Sequence, residues 1–334
     1  MDETRGGAAP LVIRGPAELI AAIPYMLGYH PAMSVVGIGI DGPGGACAVR
    51  LGLDVTADAA AHLAALLGAH GFTEVMLVCY GPPEAADPAM DLTCAALAEA
   101  GIDIGDALRV HDGGFWSYLD RRIADVPLRP TTVEVQAVVN GLVALPSREE
   151  LTASVAPLPD PVAAAVARET ARAARLPLDP TAGLRLVREV MAGVGSGRPP
   201  PDLPEIARFT VALGAVRLRD EAWVRIDPQD LYAQREFWLH VLRRTARAYR
   251  PAPACLLAYC AFLSGDGALA NVALDVAEEA DPAYTLGDLL RQMMEVGVHP
   301  SAVRMRMTPE DLARAYADPP DPGGGDPDSL TTKQ

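Results

Sequence analysis

The sequence predicts an α/β domain, an α+β-like mixed sheet with flanking helices, followed by an all-α region carrying a tetratricopeptide-like helical hairpin. Three observations lead there. Between residues 10 and 155, strand-like apolar runs alternate with helical periodicity, and hairpin turns alternate with crossovers, so parallel and antiparallel neighbours should share one sheet. From Glu205 onward the apolar spacing is almost wholly helical. Between the two, GVGSGRPPPDLP (Gly193 to Pro204) is rich in Gly and Pro and reads as a linker. The expected division is a mixed-sheet domain over 10–155, a helical connection and linker over 156–204, a helical domain over 205–317, and a disordered tail over 318–334.

Each element has a local reason. LVIRG (Leu11 to Gly15) reads as a first strand. Pro16 opens a helix whose Leu19, Ile20, Ile23 and Leu27 recur at helical spacing, and Pro24 inside it should kink or end it. SVVGIGID and ACAVRLGLDV are strand-like and flank Asp-Gly-Pro-Gly-Gly, a hairpin signal. ADAAAHLAALLGAHG reads as a helix ending at Gly71, and EVMLVCYG as a buried strand. Asp87 and Pro88 are the expected N-cap and first residue of the next helix, which closes at Gly101. DALRVHDGGFWSYL reads as two strands around an Asp-Gly-Gly turn. Thr131 and Glu134 form a capping-box pattern ahead of Val135, Val138, Val139 and Leu142, which suggests a helix, with a strand the alternative for these β-branched residues, and Ser147 with Glu150 forms another capping box. Two helices start at Asp160-Pro161 and Asp179-Pro180. Gly265-Asp266-Gly267 turns between two alanine-rich helices, with Asp266 expected to cap the second. Ala258, Ala261, Ala270, Leu274, Ala277 and Pro282 fall at tetratricopeptide offsets, but no second copy follows at that period.

Composition excludes several functions. Half of the 334 residues are hydrophobic, enough for real cores. A net charge of −15 opposes a broad nucleic-acid surface and adhesion to anionic membranes. The only lysine is Lys333, so no P-loop or Schiff-base lysine lies in the folded part. Five scattered cysteines without a CxxC pair read as small reduced hydrophobes. His62 and His70, eight apart on one helix, stand too far apart to share a metal ion, and no metal site is expected. There is no h-region and no 18-residue apolar run, so the expected compartment is the cytoplasm. GxSxG, HExxH and GxxxxGK[ST] are all lacking.

Gly37-x-Gly39-x-x-Gly42 matches the dinucleotide fingerprint in spacing only. That motif needs its glycines between a strand and a helix. Here Val36, Ile38 and Ile40 alternate with Gly37 and Gly39, so both glycines lie inside a strand and leave one face bare for close packing.

Two segments together resemble a known family. Arg14 to Ile38 carries Pro24, Leu27, Gly28, Tyr29, Pro31, Ser34, Val35 and Val36. Those residues match the P-x-L-L-G-[FY]-x-P-x-x-S-[LV]-V stretch of an actinobacterial family described as domain of unknown function 4192, with Met26 in place of the usual Leu. Gly265 to Leu290 is similar to its GDGALA block, and Ser147 to Leu151 to its SRE element. The resemblance implies a shared fold. It brings no activity, substrate or catalytic residue with it.

Candidate site residues are those at strand ends, where α/β proteins place function. His30 and Ser34 flank the start of one strand, Tyr80 ends another, and Asp112 and Trp116 follow a third. Each has a plain alternative: His30 and Ser34 in a turn, Trp116 in sheet packing. The arginines Arg217, Arg219, Arg225, Arg243, Arg244 and Arg247 make the helical part locally basic, with acidic partners in the same chain the first expectation. The leading functional expectation is a non-enzymatic interaction or regulatory protein, with a protein partner or a homodimer through the helical domain. The alternative is a nucleotide- or metabolite-binding protein or enzyme with a pocket at the strand ends; no cofactor is identified.

Overall fold

The computed structural model describes residues 12–42, 45–140, 142–176, 179–298, 300–303 and 307–316. Two compact units emerge. One is the chain up to Ala156 together with Ala261–Val303, and the other is Pro157–Cys260 together with the chain after Val303. The sequence reading grouped residues 261–303 with the helical region; here their contacts place them with the sheet.

The first unit runs α1 (Pro16–Leu27), β1 (Ser34–Gly42), β2 (Gly45–Gly52), α2 (Ala57–Ala69), β3 (Glu74–Tyr80), α3 (Pro83–Glu99), β4 (Asp103–His111), β5 (Gly114–Ser117), β6 (Val126–Pro127), α4 (Thr132–Val139) and α5 (Arg148–Val155). The sheet order is β2-β1-β3-β4-β5-β6. Only β3 and β4 are parallel; β1 runs antiparallel to both β2 and β3. The mixed sheet is as expected.

One face of the sheet packs on α2 and α3. Val35, Leu77, Cys79 and Ala107 share a buried cluster there with Leu63, Leu67, Met90 and Leu97. The bare face of β1 lies on this side. A Cβ on Gly37 would meet Leu63 and Leu77 at 3.6–3.7 Å, and one on Gly39 would fall 2.5 Å from the Phe72 ring. What covers the glycines is therefore a leucine of α2 and a phenylalanine ring, and the helix that a dinucleotide fold requires after Gly42 is replaced by β2.

Several local expectations are corrected. Residues 12–14 form no strand, and Leu11 lies outside the described residues. Pro24 does not end α1, which continues through it to Leu27 and stops at Gly28 in the left-handed conformation, φ 75°. Pro24 removes a single main-chain donor in the last turn and its ring is buried. α3 starts at Pro83, not at Asp87-Pro88, which leaves the Asp87 carboxylate free for other partners. α4 carries its predicted capping box, but its buried residues are Val133 and Ala137. Val135, Val138 and Val139 are 64–79% exposed and Leu142 is 37% exposed. Pro43 and Gly44 of the predicted hairpin lie outside the described residues, as do 317–334, where the disordered tail was expected.

The second unit holds α6 (Val162–Ala174), α7 (Pro180–Gly193), α8 (Leu203–Ala212), α9 (Val216–Val224), α10 (Leu231–Arg243) and α14 (Pro309–Ala315). Its core is aromatic: the Trp238 ring stacks on Phe209 at 5.9 Å and meets Phe237 edge-on at 5.0 Å. Of the expected arginine cluster, Arg219 pairs with Asp220, and Arg217 and Arg225 pair with Glu221, a fully buried carboxylate on α9 that also takes Arg188. Glu221 accepts from Arg188 at 2.7 Å and Arg225 at 2.7–2.9 Å, and Arg217 lies at 2.8 Å. Burial alone would raise its pKa, yet the three guanidiniums together hold it below the ordinary carboxylate value.

α11 (Pro251–Leu263) crosses the division between the units at Cys260/Ala261. α12 (Gly267–Ala280) and α13 (Thr285–Glu295) pack on one another in the first unit. Asp266 caps α12, accepting from the Leu269 N–H at 3.0 Å.

Candidate ligand cleft

The structure gives the residues expected at strand ends different surroundings. Ser34 and Tyr80 are register partners across β1 and β3, and both are buried. Burial pushes the Tyr80 phenol above its ordinary value, and neither hydroxyl has a hydrogen-bond partner among the described residues. Asp112 is exposed at the tip of the β4–β5 hairpin, in the left-handed conformation at φ 48°. His30 is exposed and its main-chain N–H donates to the Leu145 carbonyl at 2.9 Å. Trp116 lies under the Arg109 guanidinium at 5.0 Å. Arg109 in turn donates to Asp87 at 2.8 Å, and the Tyr118 hydroxyl donates to the same Asp87 oxygen at 2.5 Å. Burial and the Asp87 bond raise the Tyr118 pKa.

The concave site lies elsewhere in the same unit. A cleft of 780 Å³ opens beside β2, within the usual range for ligand sites. None of the five expected residues lines it. Its walls come from the end of α1, the length of β2, α2, the start of α5, and α12 with α13. Local backbone geometry brings these together. Gly28, Tyr29 and His30 are zipped to Leu145 by two main-chain hydrogen bonds, Leu145 N to Gly28 O at 2.8 Å and His30 N to Leu145 O at 2.9 Å. A side chain on Gly28 would approach the Asp266 carboxylate, 3.8 Å away. Ser147 caps α5, and Arg148 on its first turn reaches Asp275 of α12 at 3.5 Å.

The charge inside is cationic. Arg50, Arg148 and Arg291 line the cleft against two carboxylates, Asp275 and Glu295. Asp275 is already engaged, by Arg291 at 2.8 Å and by Arg148. Arg50 forms no salt bridge among the described residues; its acidic neighbour is Glu149, whose carboxyl is held below its ordinary value by the Ser147 hydrogen bond and, more weakly, by Arg148 and Arg50. One of its terminal nitrogens donates weakly to the Ala32 carbonyl at 3.4 Å, and its buried Nε has no acceptor. Tyr29 stands beside it: burial raises its phenol pKa, against the pull of Arg50 and Arg148. A guanidinium with an unused buried donor beside a phenol is a receiver for an anion. His62 and His70 both line the cleft, yet the described residues hold no group of three or more His, Cys, Asp or Glu able to bind a metal ion.

Sequence reasoning missed Tyr29, Arg50, Arg148, Asp275 and Arg291. A signal was present: the three segments quoted for the family resemblance meet here, the first through Tyr29, the second through Arg148, and the third through Gly265, Gly267 and Asp275.

Fold and cleft define a mixed-sheet α/β protein with a cationic cleft at the free edge of its sheet. No described helix is long and apolar enough to cross a membrane. The chain belongs to the family described as domain of unknown function (DUF4192), whose model matches residues 16–301. No curated protein and no solved structure matches it.

Proposed function

We propose that this protein binds an anionic ligand in the cleft beside β2. The observation that carries this reading is Arg50: a buried guanidinium donor without an acceptor, in a concave site where cationic side chains outnumber anionic ones, on a chain of net charge −15. An acidic protein gains nothing in solubility by gathering arginines in a cleft; a ligand that supplies the missing acceptor does gain from them. The test is a thermal-shift panel of phosphates, di- and tricarboxylates, nucleotides and acidic peptides. At a hundredfold excess over the dissociation constant, binding stabilises by about 2.7 kcal/mol. At least one anion should raise Tm, and Arg50→Met and Arg148→Met should each abolish the shift. No shift from any anion, or shifts that survive both substitutions, refutes the reading.

A second reading has its own observation. Val135, Val138 and Val139 form an exposed apolar stripe on α4 at helical spacing, and Leu142 at 37% and Val143 at 71% exposure follow in the segment after it. Such a stripe is self-complementary about a two-fold axis and uncharged, so two copies of an acidic chain can meet there. On this reading the protein also forms a homodimer through α4, rather than through a tetratricopeptide-like hairpin in α11 and α12. Sedimentation should show a dimer that Val138→Glu converts to monomer; a monomeric wild type overturns it.

A further inference from the structure

The cleft is bounded on one side by a strand edge, and the main chain of that edge is unused. β2 is the terminal strand, paired only with β1. The Leu53 N–H donates to the Met33 carbonyl at 3.2 Å, which makes 33 and 53 a hydrogen-bonded pair. The antiparallel register then makes 35/51, 37/49 and 39/47 hydrogen-bonded pairs as well. Ala46, Ala48 and Arg50 therefore turn their N–H and C=O groups away from β1. No group among the described residues accepts from or donates to them. Every residue from Ala46 to Leu51 lines the cleft. An unpaired edge of this kind is a template for another strand unless it is covered. Here α2, α12 and α13 stand off from the edge and leave the open cleft between.

We infer that the anionic ligand is an extended acidic peptide segment that adds to the sheet as a strand beside β2. This rests on the cleft being an anion site. The edge supplies main-chain donors and acceptors in a two-residue repeat, the pattern that strand addition reads. Six lining residues at roughly 3.3 Å each give an edge about 20 Å long, room for five or six residues of peptide. Arg50 stands on one face of that edge strand, and Arg148 and Arg291 line the same cleft, so carboxylates on alternate peptide residues, which share that face, meet guanidiniums while the backbone pairs with β2. A small phosphate or carboxylate satisfies the arginines but leaves the strand edge unused.

The test uses the full chain as bait for a displayed library of random peptides roughly eight residues long, a length matched to β2. The enriched peptides are then synthesised and titrated. Sequences with Asp or Glu at alternate positions are expected. N-methylation of edge-facing amides should weaken the best peptide by about tenfold or more, since each lost main-chain bond leaves an unpaired donor or acceptor. Ala48→Pro removes one outward donor without touching the β1 ladder, a position where an edge strand tolerates proline. It should weaken peptide binding by about tenfold and leave any thermal shift by inorganic phosphate unchanged. Circular dichroism of the variant checks the fold, and the methylated peptides give the same answer on the wild type. A library that yields no binder, or peptides indifferent to N-methylation and to Ala48→Pro, overturns strand addition. If phosphate or citrate still binds in an Arg50-dependent way, the anion site stands without it. If nothing anionic binds, both fall.

Discussion

A methyl group added at Gly37 and at Gly39 should have opposite effects. Neither glycine has a positive φ, so alanine fits both backbones. Replacing a strand glycine by alanine recovers about 0.5–1 kcal/mol of chain entropy. At Gly37 the new Cβ lies at ordinary contact distance from Leu63 and Leu77, 3.6–3.7 Å, so that gain is kept. At Gly39 it would sit 2.5–2.7 Å from three carbons of the Phe72 ring. Phe72 is 5% exposed, so the ring cannot simply swing into water. Overpacking of this sort costs about 1–3 kcal/mol, which leaves Gly39→Ala destabilised by up to about 2.5 kcal/mol. In a Phe72→Ala background, itself weakened by about 3–5 kcal/mol, the same methyl enters empty space and becomes stabilising. Urea unfolding followed by circular dichroism gives the four corners of the cycle, with midpoints compared at constant m. If Gly39→Ala is as stable as Gly37→Ala, or if its effect is the same with and without Phe72, then the packing account of the glycine pattern is wrong.

Three further outcomes follow from the charged clusters. Glu221→Gln leaves three guanidiniums around a neutral amide in a fully buried position and should cost about 3–5 kcal/mol, read as a fall in Tm; a loss under about 1 kcal/mol refutes the buried-triad reading. Stability should fall on the acid side in two stages. His240 is held below its ordinary 6.5 by burial and by Arg244, so the unfolded chain takes up that proton first as pH drops below 6.5. Glu221 is held below 4.5, so its contribution is complete above that value and is lost as pH falls beneath it. Denaturation midpoints that stay flat or rise from pH 7 to pH 5 contradict the first stage, and midpoints that stay flat or rise from pH 5 to pH 3 contradict the second. Asp87→Asn removes the charge that Arg109 and Tyr118 share; because Asp87 is 47% exposed the loss is about 1 kcal/mol. Its sharper signature is a lower ionisation pH for Tyr118 in ultraviolet titration, since the Asp87 bond helps raise it.

Where local chemistry decides, the sequence was readable. Thr131 and Glu134, Asp179, and Asp266 cap the helices they were expected to cap, because a cap needs only its own backbone. The Asp112-Gly113 turn and the β1 glycines followed from φ and side-chain period alone. What tertiary packing decides was not readable. The spacing of Val135, Val138, Val139 and Leu142 names a helix face but not its direction, and in α4 the smaller pair Val133 and Ala137 turns inward. Asp87-Pro88 has the form of a helix start, but Pro83 opens α3 earlier and frees Asp87 for Arg109. In the sequence Arg50 is only part of a strand, since nothing in ACAVRLGLDV shows that the partner segments lie about 100 and 240 residues further on.

The same topology explains why this cleft opens beside β2 rather than at the strand ends. The strand-end rule belongs to sheets whose neighbouring strands are parallel and whose order reverses, so that a crevice opens between two carboxyl ends. In this sheet the parallel relation holds for β3 and β4 alone. Next to the end of β3 lies the beginning of β1, and Ser34 pairs with Tyr80 there. On the other side the Gly81 N–H donates to the Val110 carbonyl at 3.0 Å, tying the loop after β3 to the end of β4. Adjacent ends are thus stitched together on both sides of Tyr80. The opening is displaced to the one long edge without a partner, β2, since the opposite edge, β6, is two residues long. A helix laid flat on β2 would have closed it. Instead α12 is pinned to α5 by Arg148 and Asp275 and to α13 by Asp275 and Arg291, one carboxylate holding two guanidiniums while the Arg50 Nε has no acceptor among the described residues.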